Sequence, residues 1–132
     1  MKIAVVTDDG KTISRHFGRA RYYQVIEIQN GEIVGQEMRD KIGHSHFAHR
    51  EQRHFDPEKG SGTDQASHTK HERMADAISD CDALICGGMG KGAYQSMEVF
   101  GIKPIVTKIE DIDFAVDAYL QGNLKDETDM LH

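Results

Sequence analysis

Residues 80–93 read DCDALICGGMGKGA, and this stretch decides how the rest of the chain is arranged. Residues 83–86 form a short, wholly apolar run, which predicts a buried strand. The glycine-rich turn after it and the apolar spacing beyond the turn predict a helix. A strand, a turn and a helix in this order place backbone N–H groups at the start of the helix, where anions bind.

Two sulfur side chains stand at this turn. Cys86 ends the predicted strand, and Met89 lies among the glycines. Thiolate and thioether groups favour Cu(I), zinc and iron–sulfur species, so both residues are candidate metal ligands. The alternative is purely structural, because cysteine is often buried, methionine fills gaps in cores and glycine turns the chain. Both interpretations stay open at this point.

Length and composition limit the classes of protein. The chain has 132 residues, enough for one domain, with a formal net charge of −6. No basic stripe is present to neutralise phosphates, so we expect no nucleic-acid binding. Two cysteines, no long apolar run and no basic-then-apolar leader predict a cytoplasmic protein that does not bind membranes. We expect one domain over residues 1–124 and a loose acidic tail over residues 125–132.

Hydrophobic patterns and turn signals predict the other elements. Residues 2–7 are apolar without alternation, which predicts a central strand. Residues 21–28 alternate, and Asn30-Gly31 is a hairpin signal that predicts a third, antiparallel strand over residues 33–38. The remaining predictions are a helix opened by the capping box Thr69 to Glu72, a helix ending at Gly101, a strand over residues 104–107 and a helix between Asp111 and Gly122.

The order β-β-β-α-β-α-β-α restricts the topology. Right-handed crossovers place strands four and five parallel to strand one, and the hairpins make strand two antiparallel. We therefore predict an α/β, three-layer fold with a five-stranded mixed sheet of order 3-2-1-4-5 and helices on both faces. The loop containing His16, the histidine-rich stretch and the turn at 86–92 should then meet at one end of the sheet. Between strands one and four the connections leave in opposite directions. Open α/β sheets bind ligands at such a topological switch point.

Residues 40–68 form a long polar stretch rich in histidine. Six of the eight histidines fall between His44 and His71. A loop of this length in a compact domain is usually functional or disordered. Imidazole is the commonest metal ligand, although a hydrated surface loop is the alternative. The candidate ligands for Zn²⁺ or Ni²⁺ here are His44, His46, His49 and His54.

Five segments together resemble a known family. In order they are SRHFGRA (14–20), DCD (80–82), GGMGKGAY (87–94), GIKP (101–104) and AYLQGNL (118–124). They resemble the dinitrogenase iron-molybdenum cofactor biosynthesis family over nearly the whole chain, apart from the histidine-rich stretch and the tail. The resemblance implies a ribonuclease H-like fold and a small stand-alone member. The family includes accessory proteins that bind or carry the nitrogenase cofactor or its iron–sulfur precursors, and one that holds a molybdenum–copper sulfide cluster.

A sulfide-rich cluster is a polyanion with soft metals. It therefore needs backbone N–H groups, cationic side chains and an occasional histidine or cysteine ligand. We expect a carrier of an iron–molybdenum, iron–sulfur or molybdenum–copper cluster that is not an enzyme, is a monomer or weak homodimer, and exchanges its cargo with cluster donor and acceptor proteins. The candidate cluster-binding residues are Ser14, Arg15, His16, Arg19, Gly87, Gly88, Met89, Gly90, Lys91 and Gly92, with His16, Cys86 and Met89 as candidate metal ligands.

Two other classes of function remain open. Gly88-x-Gly90-x-x-Ala93 satisfies the loose dinucleotide fingerprint of a nucleotide-binding enzyme, although it follows the fourth strand rather than the first. Alternatively, the histidine-rich stretch alone binds Zn²⁺ or Ni²⁺, or a protein partner, and the sheet is a scaffold. A two-metal nuclease is excluded, because strand four offers only Asp82 at its far end.

Overall fold

A computed structural model describes residues 1–41 and 72–132. The strands are β1 (Lys2–Thr7), β2 (Tyr22–Gln29), β3 (Glu32–Asp40), β4 (Ala83–Cys86) and β5 (Lys103–Val106). Residues 72–76 are helical (α1), and α2 (Lys91–Val99), α3 (Ile112–Leu120) and a 3₁₀ turn (Thr128–Met130) follow. Within these two ranges, no helix has the length and apolar character needed to cross a bilayer.

The sheet has the predicted order, β3-β2-β1-β4-β5. β1 pairs antiparallel with β2 and parallel with β4, and β5 is parallel to β4. At the hairpin, Asn30 and Gly31 both have positive φ, 54° and 79°, the conformation that a two-residue turn requires. β1, β3 and β4 therefore end at the same edge of the sheet, as predicted.

The sheet separates two cores, which makes the fold three-layered. Alternate residues of β1 point to opposite faces, with Ala4 and Val6 in one core and Ile3 and Val5 in the other. The first core is covered by α1 and α2, and the second by α3, so helices lie on both faces. This is the α/β, ribonuclease H-like architecture predicted from the element order.

The predicted helix ends agree with the structure where the structure describes them. The Asp111 carboxylate caps α3 by accepting a hydrogen bond from the Phe114 amide at 2.8 Å. Gly101 and Gly122 follow α2 and α3 with positive φ, 84° and 77°, as C-terminal glycines do. Thr69 of the predicted capping box lies outside the described residues.

The predicted loose tail is wrong, because residues 125–132 pack on the sheet. The Asp126 carboxylate accepts hydrogen bonds from the Val106 amide (2.9 Å) and the Tyr94 hydroxyl (2.6 Å). The Glu127 amide donates to the Val106 carbonyl at 2.8 Å. Met130 and Leu131 pack against the first core. An acidic composition indicated solvent exposure, but one carboxylate and one amide here satisfy the open edge of β5.

An ion-pair network joins β3 and β1 to the chain just before β4. The Asp80 carboxylate accepts hydrogen bonds from the Arg39 guanidinium at 2.7 and 2.9 Å and from the Lys2 ammonium at 3.0 Å. Arg39 also donates to the Ala77 carbonyl at 3.0 Å. The hydrogen bonds from Arg39, and then those from Lys2, hold the pKa of Asp80 well below its usual range.

Asp80→Asn should lower the free energy of unfolding at pH 7 by about 1 kcal/mol or less, because water screens this half-exposed network. A depressed folded-state pKa stabilises the protein above the unfolded pKa of about 4 and loses that effect as the pH falls further. Urea unfolding at pH 7 and pH 2.5 should therefore show the difference shrinking in acid. Asp76→Asn, at an exposed carboxylate, is the matched control. A difference independent of pH would contradict the electrostatic origin.

Candidate functional site

A cleft of about 510 Å³ lies where β1 and β4 end. One wall is the loop after β1, and the other is the turn and first residues of α2. α1 and the tail each contribute one residue. The lining residues are His16, Phe17, Gly18, Arg19, Met74, Met89, Gly90, Lys91, Gly92, Ala93 and His132.

Backbone hydrogen bonds hold the loop at residues 14–20 against the turn after β4. The Gly87 amide donates to the Ser14 carbonyl at 2.8 Å, and the Phe17 amide donates to the Gly88 carbonyl at 3.0 Å. These two bonds run in opposite directions, so they fix both the position and the register of the loop. The two walls of the cleft are therefore held at a set distance by main-chain atoms.

The loop is also closed on itself around His16. The His16 carbonyl accepts from the Arg19 and Ala20 amides, each at 3.0 Å, and the His16 amide donates to the Ser14 hydroxyl at 3.1 Å. The main chain of His16 is thereby immobilised, while the residue stays exposed at the cleft. The fold therefore does not depend on the His16 imidazole, which is available to a ligand in the cleft.

Gly87 and Gly88 permit the close approach of the two walls. A Cβ atom at Gly87 would lie 2.9 Å from the Ser14 carbonyl oxygen, and a Cβ at Gly88 would overlap the Arg15 carbonyl oxygen. Both distances are below ordinary contact, so only glycine fits. The close approach at Gly88 is made by this chain's own backbone, which accounts for the first glycine of the dinucleotide-like pattern without a nucleotide.

The charges at the cleft are positive although the whole chain is negative. Arg19 and Lys91 line the cleft, and no carboxylate side chain does so among the described residues. Lys41 is 1% exposed, and its ammonium lies 4.6 Å from the centre of the Phe17 ring, a cation–π contact beneath the cleft wall. The cleft therefore attracts anions.

The start of α2 adds backbone donors to these cations. Gly90 caps the helix with extended backbone and no side-chain cap, so the first amides of α2 have no acceptor within the helix. The Lys91 amide donates to the His132 carbonyl at 2.9 Å, and Gly92 and Ala93 line the cleft beside it. Amides at a helix start carry partial positive charge and bind anions.

The structure brings six of the predicted cluster-binding residues into the cleft and leaves four outside its lining. Arg15 turns away to pair with Glu110 at 2.7 Å, beside a separate cavity of about 300 Å³. Ser14, Gly87 and Gly88 shape the walls through the contacts described above. The six in the cleft are His16, Arg19, Met89, Gly90, Lys91 and Gly92.

The three predicted metal ligands of the turn and loop differ in position. His16 and Met89 line the cleft, although Met89 is only 2% exposed. Cys86 does not, because β4 is a central strand covered on both faces, and its side chain is fully buried. Burial raises the pKa of the Cys86 thiol to about 12, so the thiol stays protonated at neutral pH. Its position gives no support to the ligand role predicted for it.

The candidate ligands of the histidine-rich stretch, His44, His46, His49 and His54, lie outside the described residues. Within residues 1–41 and 72–132, no group of three or more His, Cys, Asp or Glu side chains is arranged to hold a metal ion.

Five of the lining residues were not predicted as site residues, namely Phe17, Gly18, Met74, Ala93 and His132, and neither was Lys41 behind the cleft wall. Phe17 belongs to the 14–20 motif, and its position next to His16 is the sequence signal that could have identified it as a site residue. Lys41 follows β3 directly at the edge where the loops meet, but a lysine after a strand is normally exposed. Met74 was assigned to the core, where it also packs. Nothing in the sequence near His132 indicates that the tail returns to the cleft.

Comparison with known proteins identifies several relatives. The sequence model of the dinitrogenase iron-molybdenum cofactor family matches residues 1–122. An uncharacterised protein of Methanocaldococcus jannaschii is 30% identical over 125 residues, which are 95% of this chain and 90% of that protein.

Solved structures of several proteins share the fold. The apo form of the orange protein from Desulfovibrio gigas aligns with a TM-score of 0.63 and 21% identity, over 93% of this chain and 89% of that one. A candidate dinitrogenase from M. jannaschii aligns with a TM-score of 0.60 and 18% identity, over 95% and 92%.

Gly88→Ala should lower the free energy of unfolding by about 1–3 kcal/mol, because its Cβ overlaps the Arg15 carbonyl and the 14–20 loop must move. Gly18→Ala is the matched control, since a Cβ there meets nothing within 4 Å. Chemical denaturation measures both, and amide NMR shifts of residues 14–20 report the loop. Equal stability of the two variants would contradict the close approach.

Proposed function

This chain belongs to the dinitrogenase iron-molybdenum cofactor family, and from that premise we propose that it binds and carries a metal–sulfur cluster as cargo. The family supports an accessory role linked to metalloclusters. The cluster itself, whether iron–molybdenum, iron–sulfur or molybdenum–copper, is part of the proposal.

One observation carries the proposal: the cleft at the end of β1 and β4 combines positive charge, backbone amides and an exposed imidazole. A sulfide cluster is anionic at its surface and soft at its metals. The side chains of Arg19 and Lys91 fit the anionic surface, as do the amides of Gly92 and Ala93 at the start of α2. The exposed imidazole of His16 fits the metals, whereas the Met89 side chain is buried in the first core and would have to move to reach them.

The donor set suits a cargo that must be released. Cys86 stays a buried thiol, so the described part of the cleft offers no thiolate, the strongest of the protein ligands for such metals. Amide and cationic contacts hold the cluster by its charge, and few metal bonds must break when it leaves. We propose that cluster donor and acceptor proteins exchange the cargo with this chain, which itself performs no catalytic turnover.

A second candidate function is Zn²⁺ or Ni²⁺ binding by the histidine-rich stretch. The sequence favours it, because six of the eight histidines fall between His44 and His71 and imidazole is the commonest metal ligand. Under this alternative, metal binding should survive His16→Ala and disappear when residues 43–62 are deleted.

His16→Ala should release a reconstituted cluster faster while leaving the fold intact, because the His16 side chain is exposed and its main-chain bonds remain. The purified chain is reconstituted anaerobically with iron, molybdate or copper plus sulfide, then desalted. Metal, acid-labile sulfide and visible absorption are measured per chain. Metal and sulfide that co-elute in a fixed ratio support the proposal, and a wild-type chain that retains no sulfide-containing cluster but binds Zn²⁺ or Ni²⁺ in a parallel incubation would overturn it.

Lys91→Gln should weaken cluster retention by about fivefold, since an exposed charge next to an anion contributes about 1 kcal/mol. The loss should diminish at high salt, which screens exposed charges. Lys103→Gln removes the same charge from an exposed residue at the opposite end of the sheet and serves as the control. The charge argument fails if both variants retain the cluster equally or if salt has no effect.

A further inference from the structure

The tail places a second histidine in the cleft. His132 lines the cleft together with His16, and these are the two histidines among residues 1–41 and 72–132. The His132 amide donates to the Met89 carbonyl at 3.3 Å, and its carbonyl accepts from the Lys91 amide at 2.9 Å. Residue 132 is thus joined to both ends of the turn that starts α2.

The tail is anchored before it reaches the cleft. The Asp126 carboxylate bridges the Tyr94 hydroxyl of α2 and the Val106 amide of β5. Met130 and Leu131 then pack against the core beneath α1 and α2. The two hydrogen bonds to Asp126 and the packing of Met130 and Leu131 fix the path of the tail. Contacts away from the cleft therefore bring residue 132 to it.

Both hydrogen bonds of residue 132 use main-chain atoms. The imidazole is therefore not needed to hold the tail, and the residue is exposed at the cleft. His16 has the same arrangement on the opposite wall, with its main chain bonded and its side chain exposed. An imidazole that the fold does not need, and that lies beside cations and amides, is available to bind a metal.

We propose that His132 is a second imidazole ligand of the cargo, facing His16 across the cleft, and that Asp126 and Tyr94 are positioning residues that hold it there. This inference rests on the proposed function, since it concerns the same cleft. On this proposal, the tail adds a metal ligand to the cleft wall formed by the start of α2, next to Met89.

The test compares the rate at which the reconstituted cluster is lost to a chelator. His132→Ala should increase that rate by about tenfold or more while the urea midpoint stays unchanged, because an alanine keeps both main-chain bonds. In the loaded wild type, the ring NMR signals of His16 and His132 should both shift. Replacing the six histidines between 44 and 71 with asparagine gives a background in which these two rings are observed alone.

Tyr94→Phe tests the anchor, because it removes the donor to Asp126 and keeps the imidazole. It should also speed cluster loss, and it should broaden the amide signals of residues 126–132. Tyr119→Phe, on the opposite face of the sheet, is the matched control.

The outcomes separate the two proposals. If the wild type retains no sulfide-containing cluster, the proposed function fails. If His16→Ala loses the cluster faster but His132→Ala and wild type lose it equally, or if the His132 ring signals do not shift on loading, the ligand role of His132 is overturned and the carrier function stands.

Discussion

The pair of backbone hydrogen bonds between the 14–20 loop and the turn after β4 is the constraint on which the site depends. Gly87 donates to Ser14 and Phe17 donates to Gly88, and both bonds need the backbones closer than any side chain allows. Because main-chain atoms set the spacing, the cleft walls do not rely on the side chains that face the ligand. Those side chains are therefore not needed to hold the walls in place, whereas Gly87 and Gly88 are.

Charge is distributed unevenly over this chain. The net charge of the chain is −6, yet the cleft carries Arg19 and Lys91, with Lys41 buried behind Phe17. The local charge of the cleft is thus opposite to that of the whole chain, and it is the local charge that an anionic ligand would meet.

The tail links the edge of the sheet to the cleft. Asp126 satisfies the open edge of β5 and also holds Tyr94 of α2, so the helix that opens the cleft and the strand at the sheet edge share one anchor. Cys86 illustrates the opposite outcome, since a central strand buries whatever side chain ends it. Position in the sheet, rather than residue type, keeps the Cys86 sulfur away from the cleft.

Local signals in the sequence determined the elements and the order of the sheet: the Asn30-Gly31 turn, the apolar runs of β1 and β4, and the Asp111 cap each act over a few residues. The handedness of crossovers then placed His16 and the glycine turn at one edge. Only the tertiary structure decided that Arg15 turns outward to Glu110, that Lys41 lies under Phe17 and that His132 returns to the cleft. These contacts join residues distant in sequence, and no local pattern encodes them, because their stability comes from packing and hydrogen bonds that exist only once the sheet has formed.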